Sequence, residues 1–305
     1  MKGDWLSKFA REGIYTDTIL HYWIDVAPGA FHIGMFAKDP EAELIYISKC
    51  EQLVEQGVLN RWGSKRGWYI PRKLELAKMD YVNANDDPVD IWLPFELSDL
   101  VELFDGNVVV IAGAPNAGKT SLLLNIIKEN ILKGWDIHYF NSEMGEGELK
   151  KRLLKFDYIA LQDWKFKAYE RAEDFQDVII PGKNSLNLID FLEVHDEFYI
   201  IGRRIKEIHD RLKGGLAIIA LQKNPGSDQG LGGFRSLEVT RLALSIDFGR
   251  VKIVKAKNFK QPNVNPNGLC KNFKILHGSQ LISLGNWYKE TSKEKSKGKG
   301  EAGNG

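Results

Sequence analysis

The sequence predicts an α/β protein, a doubly wound and mainly parallel sheet preceded by a small helical unit that ends in a hairpin. Two observations carry the sheet. From Phe95 onward short apolar runs alternate with amphipathic stretches: VVVIAG, SLLLNIIKENILK, DIHYFNSE, GELKKRLLKF, SLNLIDFL, IIGRRIKEIHDRLK, LAIIALQK, RLALSIDF, VKIVKAK and FKILHG. Strand and helix patterns in alternation build a parallel sheet covered on both faces, with ligands at the carboxyl ends of its strands. The stretch GAPNAGKT, residues 113–120, stands directly between the first strand run and the first helix run. The small unit is carried by a third observation, a helical pattern followed by two short strands before residue 74.

Composition bounds the rest. A chain of 305 residues has room for two domains and a sizeable core. Its formal net charge of +1 excludes a generally basic nucleic-acid coat and leaves only local patches. Cys50 and Cys270 lack metal-ligand spacing and read as buried free thiols of a reduced, cytoplasmic protein. No apolar run approaches the roughly 18 residues of a membrane span, and MKGDWLSKFAREG has no signal-peptide core, so no membrane is expected. The six histidines, His21, His32, His138, His195, His209 and His277, show no ligand spacing and read as structural.

Residues 1–73 form the first predicted domain. A helix-like TDTILHYWIDVA, a Pro28-Gly29 turn and FHIGMFAKD precede the longer helix EAELIYISKCEQLVEQG, whose Leu44, Ile47, Cys50 and Val54 recur at helical spacing as a core face. Gly57 sits where a C-cap would end that helix. Two strands follow, VLNRW and GWYIP, joined by the turn GSKRG. Helices followed by a basic-tipped hairpin resemble a winged helix-turn-helix domain, in which a helix enters the major groove and the wing touches phosphates. Arg61, Lys65, Arg66, Arg72 and Lys73 cluster here with Trp62, Trp68 and Tyr69, and Arg61, Lys65 and Arg66 are the candidate DNA contacts. The longer helix is a poorer reader, carrying Glu41, Glu43, Glu51 and Glu55 against Lys49, and a partner-contact module stays open beside DNA binding. Residues 74–94, with Asn-Asp-Asp-Pro, read as a linker, 95–288 as the second domain, and the lysine- and glycine-rich 289–305 as a disordered tail.

The glycines of GAPNAGKT fit a tight loop whose backbone N–H groups and following helix N-terminus converge on one anion, most simply a nucleotide phosphate. This is the P-loop pattern, so Gly113, Ala114, Pro115, Asn116, Ala117, Gly118, Lys119, Thr120 and Ser121 form the candidate nucleotide-binding set, with ATP and Mg²⁺ as cofactors. Lys119 reaches the β- and γ-phosphates and the Thr120 hydroxyl ligates Mg²⁺. A carboxylate at the tip of the next strand, Glu143, can orient or deprotonate the attacking water. The apolar SLNLIDFLEV presents Asp190 as the second Mg²⁺ holder, with Asp196 and Glu197 as rivals.

The run NSEMGEGELKKRLL, read with the P-loop, resembles RecA-like ATPases, most closely the DnaB-type hexameric helicases and their plasmid RepA-like relatives. The resemblance implies a DNA-dependent ATPase, a replicative helicase or RepA-like protein of a phage or mobile element, with single-stranded DNA as partner and a hexameric ring or filament as assembly. Glu143 matches the catalytic glutamate. Gln222, ending LAIIALQ, matches a γ-phosphate sensor, and the Gly-rich NPGSDQGLGGFRS after it matches a channel loop in which Lys223 and Arg235 would meet DNA; a plain flexible connector stays equally open. These relatives also carry a Lys-x-Arg element that reaches the neighbouring subunit's nucleotide. Here Lys257 matches the lysine, but Phe259 occupies the arginine's place, so Lys257 and Arg250 are the candidate trans cations, with Arg241 as another donor. A helicase loader or recombination mediator, and an ATP-switched DNA-bound regulator, are the alternative functions.

Overall fold

The computed structural model describes residues 20–21, 23–24, 29–37, 39–72, 79–192, 200–224 and 226–290. By its internal contacts the chain divides into two units, Met1–Ala84 and Asn85–Gly305.

In the first unit, β1 (Phe31–His32), β3 (Trp68–Pro71) and β2 (Leu59–Arg61) make a three-stranded antiparallel sheet in the order β1-β3-β2. The helix α1 (Pro40–Glu55) lies between β1 and β2 in the chain. Asp39 caps it, its carboxylate accepting from the Ala42 amide at 2.9 Å, and Pro40 stands at the first turn, where no amide hydrogen is needed. The helix ends at Glu55, with Gln56 as its cap and then Gly57, whose φ of 73° suits glycine. Ala42, Tyr46, Cys50 and Leu53 form its buried face against Phe31, Ile33, Phe36, Leu59 and Tyr69. Leu44, expected in the core, is 56% exposed, because the row through Tyr46 buries the larger ring. Lys73 lies outside the described residues.

The second unit is built on a nine-stranded sheet. Its strands are β4 (Val108–Gly113), β5 (Asp136–Asn141), β6 (Lys167–Glu170), β7 (Ser185–Asp190), β8 (Leu216–Gln222), β9 (Leu242–Asp247), β10 (Arg250–Ala256), β11 (Leu269–Leu276) and β12 (Gln280–Lys289). Their order is β12-β11-β10-β9-β4-β8-β7-β5-β6, parallel from β9 to β6 and antiparallel across β10, β11 and β12. The helices α2 (Lys119–Asn130), α3 (Glu146–Leu153) and α4 (Ile200–Leu212) complete it. Alternation along β4 divides the core into two layers. Val109 and Ile111 pack with Leu122, Leu123 and Ile126 of α2, whereas Val108 and Val110 pack with Ile201, Ile205 and Ile208 of α4. The sheet is therefore doubly wound as predicted.

Two boundaries and one strand differ from the expectation. Val89, Ile91 and Leu93, expected in the linker, belong to the core of the second unit; their period-two alternation buries one side of an extended segment, and the Val89 amide donates to the Leu103 carbonyl at 2.8 Å. The fold continues past residue 288, since β12 runs to Lys289 and the Glu290 side chain, 7% exposed, pairs with Arg250 and Lys252. The strand β6 was not expected, and its four residues are all exposed, which leaves no apolar pattern to read. Residues 291–305 lie outside the described part. No helix among the described residues is long and apolar enough to cross a membrane.

Candidate nucleotide site

Gly113, Gln222, Asp190 and Asn141 end four neighbouring parallel strands, β4, β8, β7 and β5, so their carboxyl ends present one continuous rim. Between β4 and α2 the loop turns sharply at Asn116, with φ 59°, and at Gly118, with φ 96°. A side chain at Gly118 would run into Ile275 of β11, and a Cβ at Gly113 would stand 2.7 Å from Lys119 Cγ. Close approach thus favours glycine at both positions, and at Gly118 the backbone angle does so as well.

Lys119 folds back over this loop, its Nζ donating to the carbonyls of Gly113 and Ala114 at 3.1 Å each. Burial holds its pKa below the ordinary lysine value, opposed by the carboxylates of Asp190 and Glu143. Among the described residues the ammonium is bonded only by neutral carbonyls, which an anionic oxygen would outcompete. Ser121 Oγ is buried and has no hydrogen-bond partner among the described residues. Such an orphan beside a helix N-terminus fits the missing acceptor of a phosphate.

Asp190 is 4% exposed at the end of β7. Burial raises its pKa, while hydrogen bonds from Tyr139 and Thr120 work in the opposite direction. The Tyr139 hydroxyl donates to Asp190 Oδ2 at 2.6 Å. A hydroxyl and a buried carboxylate side by side next to the phosphate loop suit a hard cation that keeps most of its water, as Mg²⁺ does. Among the described residues no three His, Cys, Asp or Glu side chains gather as a self-sufficient metal cage. Glu143 is exposed one turn of chain beyond β5 and acts electrostatically on both Lys119 and Tyr139. Asn141 Oδ1 shapes that turn by accepting from the Met144 amide at 2.6 Å. Asp196, Glu197 and His195 lie outside the described residues.

The other expected site residues divide. Gln222 is half-buried at the end of β8, with its carbonyl tied to the Leu231 amide at 2.8 Å. Lys223, expected on the DNA-facing loop, instead turns inward with a side chain that is 0% exposed. Its Nζ donates to Ser227 O at 2.7 Å and Ser245 Oγ at 2.8 Å and pairs with Asp247 at 2.8 Å. A buried ammonium needs all of these partners, so Lys223 fastens the loop from inside and is no phosphate contact. Arg235 is exposed beside Phe234, which is 72% exposed, on a cleft also lined by Asn224, Gln229 and the loop glycines.

Arg250 is likewise committed within its own chain, to Asp247 and Glu290, and as an expected trans cation it is corrected by those two pairs. Lys257 is exposed, and its backbone amide donates to the carbonyl of Arg241, also exposed, at 3.0 Å. Phe259 explains the missing arginine: its ring packs on the core, and its backbone bridges Val101. In the first unit Arg61 is held by Glu51, whereas Lys65 and Arg66 stand exposed at the hairpin turn.

Sequence reasoning missed Tyr139, Ser121's isolation and the Lys223 anchor. Tyr139 read as one more apolar strand residue, and nothing in its neighbours announces that its hydroxyl meets an aspartate 51 positions later.

Sheet order, crossover helices and the loop at Gly113–Thr120 together define a RecA-like P-loop fold. Among solved structures, the KaiC-like protein of the hyperthermophilic archaeon Pyrococcus horikoshii is similar, with a TM-score of 0.50 and 17% identity over 65% of this chain and 99% of that one. The ATPase domain of G40P gives a TM-score of 0.46 and 16% identity over 62% of this chain and 89% of that one. At such identity the likeness to the first is one of fold. No family model matches the sequence, and no curated protein matches it.

Proposed function

We propose that this chain is a DNA-dependent ATPase of the RecA/DnaB-like class that couples ATP hydrolysis to movement on, or remodelling of, single-stranded DNA. The observation that carries the reading is the convergence of Lys119, Thr120, Asp190 and Glu143 at the carboxyl ends of β4, β7 and β5. Bound Mg²⁺ would supply charge neutralisation for the transferring phosphoryl group. Thr120 and Asp190 would hold it, the latter through water, and Lys119 would exchange its two loop carbonyls for phosphate oxygens. Glu143 would accept a proton from the attacking water, which its exposure allows. Gln222, beside Gly113 in the sheet register, is suited to sense the phosphate because an amide both donates and accepts.

DNA contact is assigned to Arg235 on the second unit and to Lys65 and Arg66 on the first, read as a winged-helix-like module. Arg61, neutralised by Glu51, contributes less. A loader or mediator without unwinding activity is the second reading, favoured by one observation: Phe259 packs against the core where an arginine would be needed. Strand displacement on a forked substrate, run beside ATPase assays with and without single-stranded DNA, tests both. Unwinding supports a helicase, DNA-stimulated hydrolysis alone supports the loader, and hydrolysis indifferent to DNA sinks the DNA-dependent reading.

A further inference from the structure

We propose that Tyr139 is a positioning residue that aims the Asp190 carboxylate at its metal ion, an inference that rests on reading Asp190 as the Mg²⁺ carboxylate. Register makes the arrangement possible. β5 and β7 pair in parallel with Tyr139 opposite Leu188 and Asn141 opposite Asp190, so Tyr139 and Asp190 share one face of the sheet two residues apart. Two residues of strand rise about 6.6 Å. A phenol bridges that span, and a serine or threonine hydroxyl at the same position does not.

Burial supplies the reason for the hydroxyl. Tyr139 is fully buried, its ring edge-on to Phe166 at 6.1 Å and 80°. Phenylalanine would pack there equally well, so the oxygen is the one atom core packing does not need, and burying it costs free energy unless it is bonded. It is bonded at 2.6 Å to a carboxylate that is itself 4% exposed and so cannot rely on solvent. Bonds of this kind, hydroxyl to ionised carboxylate, are short and strong. Thr120 supplies the other donor. When a threonine oxygen turns a lone pair toward a cation, its one hydrogen remains for Asp190, and the Tyr139 bond fixes Oδ2 throughout. With one oxygen pinned, the remaining lone pairs of the carboxylate keep a single orientation toward metal-bound water. Partners of this type commonly govern metal affinity as strongly as the ligands they hold.

The test uses the full chain carrying Tyr139→Phe and reads nucleotide binding with a fluorescent ATP analogue, in EDTA and across a Mg²⁺ titration. The expected result is unchanged binding in EDTA and a Mg²⁺ midpoint raised about 10- to 100-fold. Phe166→Leu, which loosens the packing of the same ring, should lower the melting temperature and leave the midpoint alone. Asp190→Asn calibrates the site. If Asp190→Asn raises the midpoint and Tyr139→Phe leaves it at the wild-type value, the positioning role is overturned and the metal site stands. If Phe166→Leu raises it as much as Tyr139→Phe, the effect belongs to packing and the role is overturned too. If neither Asp190→Asn nor Tyr139→Phe moves it, the assignment of Asp190 fails and the inference falls with it.

Discussion

Glu143 and the two cysteines show how differently exposed and buried groups of one chain behave. Glu143 stands in solvent where a water nucleophile can reach it, and its carboxylate adds charge near Lys119. Glu143→Gln keeps size and hydrogen bonding but removes the base, so hydrolysis should slow by about 10²-fold or more while ATP binding persists. Parallel measurements of turnover and affinity check this, and normal turnover would move the role to another acid. Cys50 and Cys270 are both fully buried, and burial pushes their pKa values up to about 12 and about 11. The thiolate is the reactive form, so at pH 8 neither should alkylate in the native protein. In rising denaturant, mass spectrometry of labelled peptides should report the opening of the first unit at Cys50 and of the second at Cys270. Rapid labelling of both without denaturant would contradict the packing described for them.

At the scale of elements, the antiparallel extension β10, β11 and β12 is held by a chain of alternating charges as well as by its ladder. Lys223 pairs with Asp247, Asp247 with Arg250, Arg250 with Glu290, Glu290 with Lys252, and Lys252 with Asp228 on the glycine-rich loop. Three cations meet three anions. Glu290→Gln leaves Arg250 and Lys252 partly buried with one acceptor fewer. Breaking a buried pair costs several kcal/mol, and because Arg250 is 33% exposed we discount the loss to about 2 kcal/mol. A fall in melting temperature of about 4–8 °C should follow, measurable by calorimetry, and an unchanged transition would mean that solvent already screens the network. The β2–β3 hairpin is the proposed DNA contact of the first unit. Its tip carries Lys65 and Arg66 exposed, so replacing both with alanine should weaken DNA binding across all sequences and reduce the salt slope by about one to two. Equal affinity for both proteins would favour a partner-contact role for this unit.

For the whole molecule the open property is assembly. No described arginine occupies the Lys-x-Arg arrangement: Phe259, half-buried against the core, stands at that position, and Arg250 is internally paired. Lys257 and the neighbouring Arg241, both exposed, are candidates to enter a neighbour's site in a ring or filament, and Lys257 is tested first. Mixing inactive Lys257→Ala and Lys119→Ala proteins should then restore part of the ATPase activity, since some interfaces would pair an intact lysine of each kind. Sedimentation showing a monomer with full activity under every nucleotide and DNA condition would exclude a shared site.

The sequence by itself determined the doubly wound sheet, the tight glycine loop before α2, and that Asp190 and Gln222 end strands with Glu143 just beyond another. Those features rest on local signals: alternation of strand and helix periods, glycines needed by a tight turn, and polar residues that end apolar runs. Tertiary structure alone decided which charges are available. Lys223, Arg250 and Arg61 looked like free cations in the chain, yet Asp247, Glu290 and Glu51 neutralise them from positions 10 to 40 residues away. A lysine's sequence neighbours do not reveal whether it will be desolvated and paired, since that depends on the strands set beside it. The Tyr139 bond to Asp190 has the same origin: two strands far apart in the chain meet in one register, and only that register brings the hydroxyl to the carboxylate.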